Sequence, residues 1–312
     1  MAKKKKRKLK IARLLLILLL LLLITLSIVF LIKLLTAKEE VKQFDSSELH
    51  INEIDYSEAK QFNLDLYSKE YLLIRLNDFK VLYSSLSSKT IYPASLTKVL
   101  TMDTILSMCE DTNETTSFSS EELDELLEEN ASLAGIEPNV DYTIEDVLYA
   151  LVLPSGGDAA KALENYADSK GKNLVEEMNN KCLQLNLSNS HFTNTTGLHD
   201  DNLYTSLDDY SKIVIDALLN PKAKEILKTP VKEIRGGLLF KSTLISLIDR
   251  KDNVKVYGGK TGYTPEAGMN IVVLYEVNNR SYMLVLANAP GSPYVDGLRS
   301  AEDVNMIFDY LY

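Results

Sequence analysis

The chain has 312 residues, 46% hydrophobic and 25% charged, with a formal net charge of −10. This is the balance of an ordinary folded protein, so a disordered or fibrous chain is excluded, and the length allows one large domain or two small ones with a sizeable core. The acidic balance argues against nucleic acid as a partner. Cys109, Cys182, His50, His191 and His199 stand at irregular spacing that makes no metal site, and no cofactor is called for.

The first element in chain order is a basic block: Lys3, Lys4, Lys5, Lys6, Arg7, Lys8, Lys10 and Arg13. Leu14–Ile32 then runs without a charge, about enough helix to cross a bilayer core of roughly 30 Å. The positive-inside rule keeps the basic end in the cytoplasm. The sequence therefore predicts a cytoplasmic segment 1–13, a transmembrane signal anchor 14–35 and an extracytoplasmic stalk 36–66. Everything after the span then lies outside the cell membrane. A cleaved signal peptide is the alternative, but the apolar run exceeds the roughly 7–15 residues of such a segment, and Thr36-Ala37 is a poor cleavage site.

Residues 67–312 read as one folded domain. Tyr71–Leu76, the Asn77-Asp78 turn and Phe79–Tyr83 form a hairpin. Ser95–Cys109 is a helix led by Pro93. Ser119–Asn130 is a second helix with Ser119 or Ser120 as cap. Thr143, with Asp146 three residues on, starts a third that runs to Pro154. Asp158–Ala167, Leu174–Leu185 and Leu207–Leu219 follow, the last broken by Asn220-Pro221. Strands return at Val254–Tyr257 and Thr261–Tyr263. A second hairpin, Met269–Val277 and Ser281–Ala289, turns at Asn278-Asn279, and Val295–Tyr312 closes as an amphipathic helix. Strands at both ends with helices between predict an α/β domain: one sheet assembled from both termini, with a helical lobe inserted. Cys109 and Cys182 sit on helices; a disulfide is permitted outside the membrane, and buried free thiols are the preferred reading.

The most informative stretch is Ser95-Leu96-Thr97-Lys98. Serine and lysine three apart on a helix share a face, so the amine can take the hydroxyl proton. Ser155-Gly156-Gly157-Asp158 and Lys260-Thr261-Gly262 follow in order. Each tripeptide is weak evidence alone; the three in this order are specific.

With these motifs, residues 67–312 resemble the serine-type D-alanyl-D-alanine carboxypeptidases of the low-molecular-mass penicillin-binding kind. The likeness extends to Tyr92-Pro93-Ala94, Ala131-Ser132 with Ala134-Gly135, Tyr142–Leu148, His191-Phe192-Thr193-Asn194, Gly197-Leu198-His199-Asp200, and Tyr263-Thr264 with Glu266-Ala267-Gly268. The resemblance implies a penicillin-binding protein/β-lactamase-like fold with the site between sheet and helical lobe. It implies Ser95 as nucleophile, Lys98 as general base and Ser155 as proton relay. Lys260 and Thr261 would bind the substrate carboxylate. Gly262 would let the peptide lie along the strand, and the N–H groups of Ser95 and Tyr263 would form the oxyanion hole. Burial and a second ammonium nearby would lower the Lys98 pKa, and Lys260 is the natural second cation. Asn194, His199 and Asp200 are expected to shape a loop below the site. The substrates implied are peptidoglycan stem peptides, with β-lactams as covalent inhibitors.

One departure stands out. Gly157 occupies the place of the family's Ser-x-Asn asparagine, which would otherwise contact substrate and lysine. A serine β-lactamase is an alternative, but the Glu-x-x-Leu-Asn segment of class A enzymes is missing; Leu183-Gln184-Leu185-Asn186 lacks it. A penicillin-binding module with little turnover is the other, supported by Gly157 alone.

Overall fold

The computed structural model describes residues 54–312 except 88, 246, 249 and 250. The expected basic segment and signal anchor lie outside the described residues. Among the described residues no helix is long and apolar enough to cross a membrane.

The sheet is built from both ends of the chain, as the pattern predicts. Strands β1 (Glu70–Arg75) and β2 (Lys80–Ser84) come from the N-terminal side. Short pairs β3 (Thr90–Ile91), β4 (Thr115–Thr116), β5 (Tyr142–Thr143), β6 (Thr205–Ser206), β7 (Val231–Glu233) and β8 (Leu239–Lys241) lie within the helical part. Strands β9 (Lys255–Thr264), β10 (Gly268–Val277) and β11 (Arg280–Ala289) return to the sheet. The order is β2-β1-β11-β10-β9, with antiparallel neighbours throughout. The run Ile271–Leu274 is apolar at every position because both faces of β10 are covered. One face meets the helical lobe; the other meets Ala301, Val304, Ile307 and Phe308 of the C-terminal helix. Asn278 and Asn279 turn the last hairpin with φ of 51° and 61°, the two positive values that a two-residue hairpin of matching twist requires.

The helices are α1 (Thr97–Met108), α2 (Ser120–Glu128), α3 (Ile144–Val152), α4 (Gly157–Ser169), α5 (Leu174–Gln184), α6 (Leu207–Leu219), α7 (Pro221–Lys228) and α8 (Arg299–Leu311). Several starts were legible as caps. Ser119 and Glu122 form a full capping box, and the Asp146 N–H donates to the Thr143 hydroxyl at 3.1 Å. The break at Asn220-Pro221 ends α6 and also starts α7: the Asn220 side-chain oxygen accepts from the Lys222 N–H, and Pro221 takes a first-turn position that needs no donor. Ser95 precedes the α-helix, standing in a 3-10 turn, Ala94–Leu96. Helix α8 starts at Arg299, later than expected, because the chain from Pro290 to Gly297 is a loop closed on Asp296.

The described part of the expected stalk runs along the edge of β2. Asp55 and Lys60 bridge to Lys80 and Tyr83, and the Phe62 ring is buried, stacked 4.1 Å from Tyr83. This covers one edge of the sheet. The other edge is β9.

Helix α1 is buried all round from Thr97 to Ile105, so it sits at the centre of the lobe. Polar ties fix it there. The Tyr210 hydroxyl donates to the Leu96 carbonyl at 3.2 Å and Thr101 to the Thr195 carbonyl at 2.8 Å. Lys181 of α5 pairs with Asp103 of α1 and, at 2.9 Å, with Asp216 of α6. Burial pushes the Asp103 carboxyl up to about 7 against the pull of Lys181, and the Asp216 charge pushes the same way as burial. Cys109 and Cys182 are free thiols.

Candidate active site

The site forms where the 3-10 turn meets β9. Gly262 makes the meeting possible: a Cβ there would lie 2.9 Å from the Pro93 carbonyl oxygen and 3.1 Å from the Ser95 nitrogen. The glycine expected to clear space for a substrate thus already clears space for the serine turn, and it brings Tyr263 up beside Ser95. A second close approach backs the turn from behind. Gly197 has φ of 80°, and a Cβ on it would fall 1.9 Å from the Ala94 carbonyl oxygen. Ala94 itself holds φ of 51°, a strained value for alanine, kept by these neighbours.

Lys98 reaches Ser95 as the helical spacing predicts, with Nζ 3.1 Å from Oγ. The amine also donates to the Thr196 carbonyl at 2.7 Å. That carbonyl belongs to a turn stapled by Asn194, whose Oδ1 accepts from the Gly197 N–H at 2.7 Å and whose Nδ2 donates to the Leu198 carbonyl at 3.0 Å. Asn194 therefore shapes the loop, as expected, and the loop aims the lysine. With one N–H spent on Thr196, a neutral amine can turn its lone pair toward the serine hydroxyl.

Lys98 and Lys260 are both buried. Burial pushes the Lys98 ammonium down to about 7, while the Asp158 carboxylate pulls it back up. Burial also pushes Lys260 well down, and the charge of Lys98 adds to this. Desolvation is the first cause for both amines, and the repulsion between the two charges acts in the same direction. Lys260 donates to the Thr261 carbonyl at 3.0 Å. The Thr261 hydroxyl lies 2.8 Å from that of Thr243. Thr243 sits in an unremarkable Lys-Ser-Thr stretch, so no sequence signal marked it.

Ser155 sits at the turn between α3 and α4 with φ of 69°. Its carbonyl accepts from the Ser132 hydroxyl at 2.6 Å, yet its own hydroxyl is buried without a partner. Asp158 is structural here: its carboxylate accepts the N–H groups of Ala134, Gly135 and Ile136, pinning that loop to the start of α4. A cleft of about 990 Å³ opens over the serine, lined by Ser95, Lys98, Ser132, Asn194, Tyr263 and Tyr294 among others. His199 and Asp200 stand on its wall.

A serine and a buried lysine amine in contact, at the edge strand of an antiparallel sheet under a helical lobe, form a pair whose chemistry suits acyl transfer. The comparisons place it further. The family model for D-alanyl-D-alanine carboxypeptidase, Peptidase S11, matches residues 56–291, and the chain belongs to that family. Among its relatives, D-alanyl-D-alanine carboxypeptidase DacF of Bacillus subtilis is 28% identical over 204 residues, which is 64% of this chain and 52% of DacF. DacA of Escherichia coli K12 is 29% identical over 220 residues, 66% of this chain and 52% of DacA. The chain spans about half the length of these curated relatives. The solved Streptomyces K15 DD-transpeptidase shares the fold, with a TM-score of 0.69 at 22% identity over 80% of this chain and 98% of that one.

Gly157 opens α4 against the loop that Asp158 pins. A Cβ there would lie 3.1 Å from Ala131 Cβ and 3.1 Å from the Ser132 carbonyl oxygen, and the Gly157 N–H donates to that same oxygen at 2.6 Å. The Ala131-Ser132 segment thus fills the space beside Gly157. Replacing Gly157 by Asn must push this segment back, and with it the Ser132 hydroxyl that holds Ser155. Gly157→Asn should lower the rate of penicillin acylation. A clear rise in that rate would show that the site lacks a donor there.

Proposed function

We propose that this protein is a membrane-tethered serine carboxypeptidase that removes the terminal D-alanine from peptidoglycan stem peptides. The observation that carries the reading is the Lys98 amine, pushed down to about 7 by burial and 3.1 Å from the Ser95 hydroxyl. A lysine in that state is a competent base near neutral pH.

The Ser95–Lys98 contact supports the first step, and the remaining roles are those the resemblance implies. Ser95 Oγ attacks the carbonyl carbon of the penultimate D-alanine as its proton passes to Lys98. The oxyanion is held by the N–H groups of Ser95 and Tyr263. Ser155 passes a proton to the leaving amine, the C–N bond breaks and D-alanine departs. Water then attacks the ester on Ser95 and releases the shortened peptide. The substrate carboxylate would meet Lys260 and the hydroxyls of Thr261 and Thr243. The charge of Lys98 bears on Lys260, so two ammonium groups together are disfavoured. An arriving carboxylate favours the charge on Lys260, leaving Lys98 free to act as base. β-Lactams would acylate Ser95 by the same attack, with the ring amide opened in place of the peptide bond.

The test is release of D-alanine from a diacyl-Lys-D-Ala-D-Ala peptide by the full chain in detergent. Activity should vanish in Ser95→Ala. Because the base works only when neutral, acylation should rise with pH through about 7 and then level. Lys98→Ala should lose that limb and about 10²–10⁴-fold in rate. Peptide turnover that persists in Ser95→Ala would defeat the reading.

Ser155→Ala separates stability from chemistry. The buried hydroxyl has no partner to lose, so the melting temperature should hold or rise. Acylation should still drop by about 10²–10⁴-fold if the hydroxyl relays a proton to the leaving group. An unchanged rate would remove Ser155 from the mechanism.

Tethering rests on the basic block and the uncharged run Leu14–Ile32. Protease added outside intact cells should digest the domain and spare the N-terminus; a domain protected until lysis would overturn the topology.

A further inference from the structure

We propose that Asn270 is a positioning residue for acyl transfer: its side-chain amide clamps the turn carrying Ser95 onto β10, the strand paired with the one that carries Tyr263. The proposal rests on the acyl-transfer reading above, and it concerns a residue that no motif marks.

Asn270 lies on β10 directly opposite Gly262 of β9, within the apolar run Met269–Leu274, and is fully buried. A buried amide in such a run demands an account. Its Nδ2 donates to the Tyr92 carbonyl at 2.8 Å and to the Pro93 carbonyl at 3.3 Å. Those carbonyls belong to the residues leading into the Ser95 turn. The Pro93 carbonyl also accepts the Leu96 N–H at 3.2 Å, the bond that closes the turn itself. It is the same oxygen that would meet a Cβ on Gly262. The amide therefore grips the turn at its closing point, on the side where the turn touches the strand.

The other end of the amide is fixed by a fault in the sheet. The β10–β11 register shifts between Met269 and Ile271, and Asn288, with φ of 60°, stands at the shift. Asn270 Oδ1 accepts the Asn288 N–H at 2.9 Å. The bulge orients the amide, and the amide sets the turn. Ser95 and Tyr263 sit on the two bodies it joins, and each would give one oxyanion donor. The spacing of those donors then depends on Asn270.

The two halves of this arrangement can be separated. Asn270→Asp keeps an acceptor for Asn288 and loses both donors to the turn. Asn270→Ser keeps one donor at most, and Asn270→Ala loses everything. The readouts are acylation by penicillin and the affinity of an alkylboronic acid. The boronic acid forms a tetrahedral adduct on a serine of this type and fills the oxyanion hole without needing a leaving group. Measurements are made on the full chain in detergent, at a temperature where near-ultraviolet circular dichroism shows each variant folded. Asn270→Asp and Asn270→Ala should each lose on the order of 10- to 100-fold in acylation rate and boronate affinity, less than the about 10²–10³-fold of deleting an oxyanion donor. Asn270→Ser should fall between them and wild type.

The Asn270→Asp deficit in boronate affinity, taken relative to wild type at each pH, should shrink on acidification, because a protonated carboxyl regains one donor. Folded Asp or Ala variants within twofold of wild type in both readouts would overturn the proposal. So would lowered melting temperatures with both readouts unmoved, the mark of a purely structural amide. A wild-type chain that binds the boronate at Ser95 but releases no D-alanine would defeat the peptidase reading and leave the comparison of Asn270 variants intact.

Discussion

Two lysine amines removed from water, one of them in contact with Ser95, are the constraint around which this protein is arranged. Moving the Lys98 pKa from its ordinary 10.5 to about 7 corresponds to roughly 5 kcal/mol of bias against its charged form. That bias is what would let an otherwise inert ammonium serve as the base proposed above. It survives only if water stays out, and Lys98 is only 2% exposed and Lys260 1%. Asp158 works slightly against it through its charge, but its carboxylate is spent on backbone N–H groups of the Ala134–Ile136 loop. The carboxylate whose charge acts on Lys98 is thus tied to a loop and forms no ion pair with the lysine.

Keeping a lysine dry requires a helix with no exposed face near it, which explains α1. A helix buried on all sides gains little from an apolar stripe and needs other means to fix its rotation. The polar ties serve that purpose. Tyr210 holds the Leu96 carbonyl, Thr101 holds the Thr195 carbonyl, and Lys181 gathers Asp103 and Asp216 from two helices onto one ammonium. Such buried ionic groups are poor evidence for net stability. Their evident effect here is to fix which side of α1 faces the cleft, and so where Lys98 points.

The sequence carried most of the architecture. Hairpins announced themselves by paired apolar runs with Asn-Asp or Asn-Asn at the turn; helix starts by Ser119 and Thr143; a helix end by Asn220-Pro221; the site by serine and lysine one turn apart. Each is a local signal, complete within a few residues. What escaped depends on contacts across the fold. Thr196 acts through its carbonyl, which any residue possesses. Thr243 is an ordinary threonine until Thr261 is brought beside it. Asn270 reads as a blemish in an apolar strand. Gly262 was marked correctly as a glycine that must be one, but its Cβ would collide with the Ser95 turn, a neighbour far away in the chain. The position of the turn Ala94–Leu96, outside the α-helix proper, likewise depends on Gly197 and Gly262 pressing on it from two sides.

Ser155 and Gly157 are best understood together. The serine hydroxyl is buried and unpartnered, and a group in that condition carries a standing penalty. A proton relay has reason to tolerate it, since its partner arrives only with the substrate. Gly157, two residues on, stands where the resemblance would put an asparagine, and the Ala131-Ser132 segment occupies the space beside it, with the Ser132 hydroxyl donating to the Ser155 carbonyl. The loop that fills the gap is therefore the same loop that sets the relay. A site losing function by neglect would keep an empty space beside Gly157 and a loosely held serine. Here the space is filled and the serine backbone is held at φ of 69° by a loop that Gly157 leaves room for, so a side chain at 157 and the setting of Ser155 are coupled through the same few atoms.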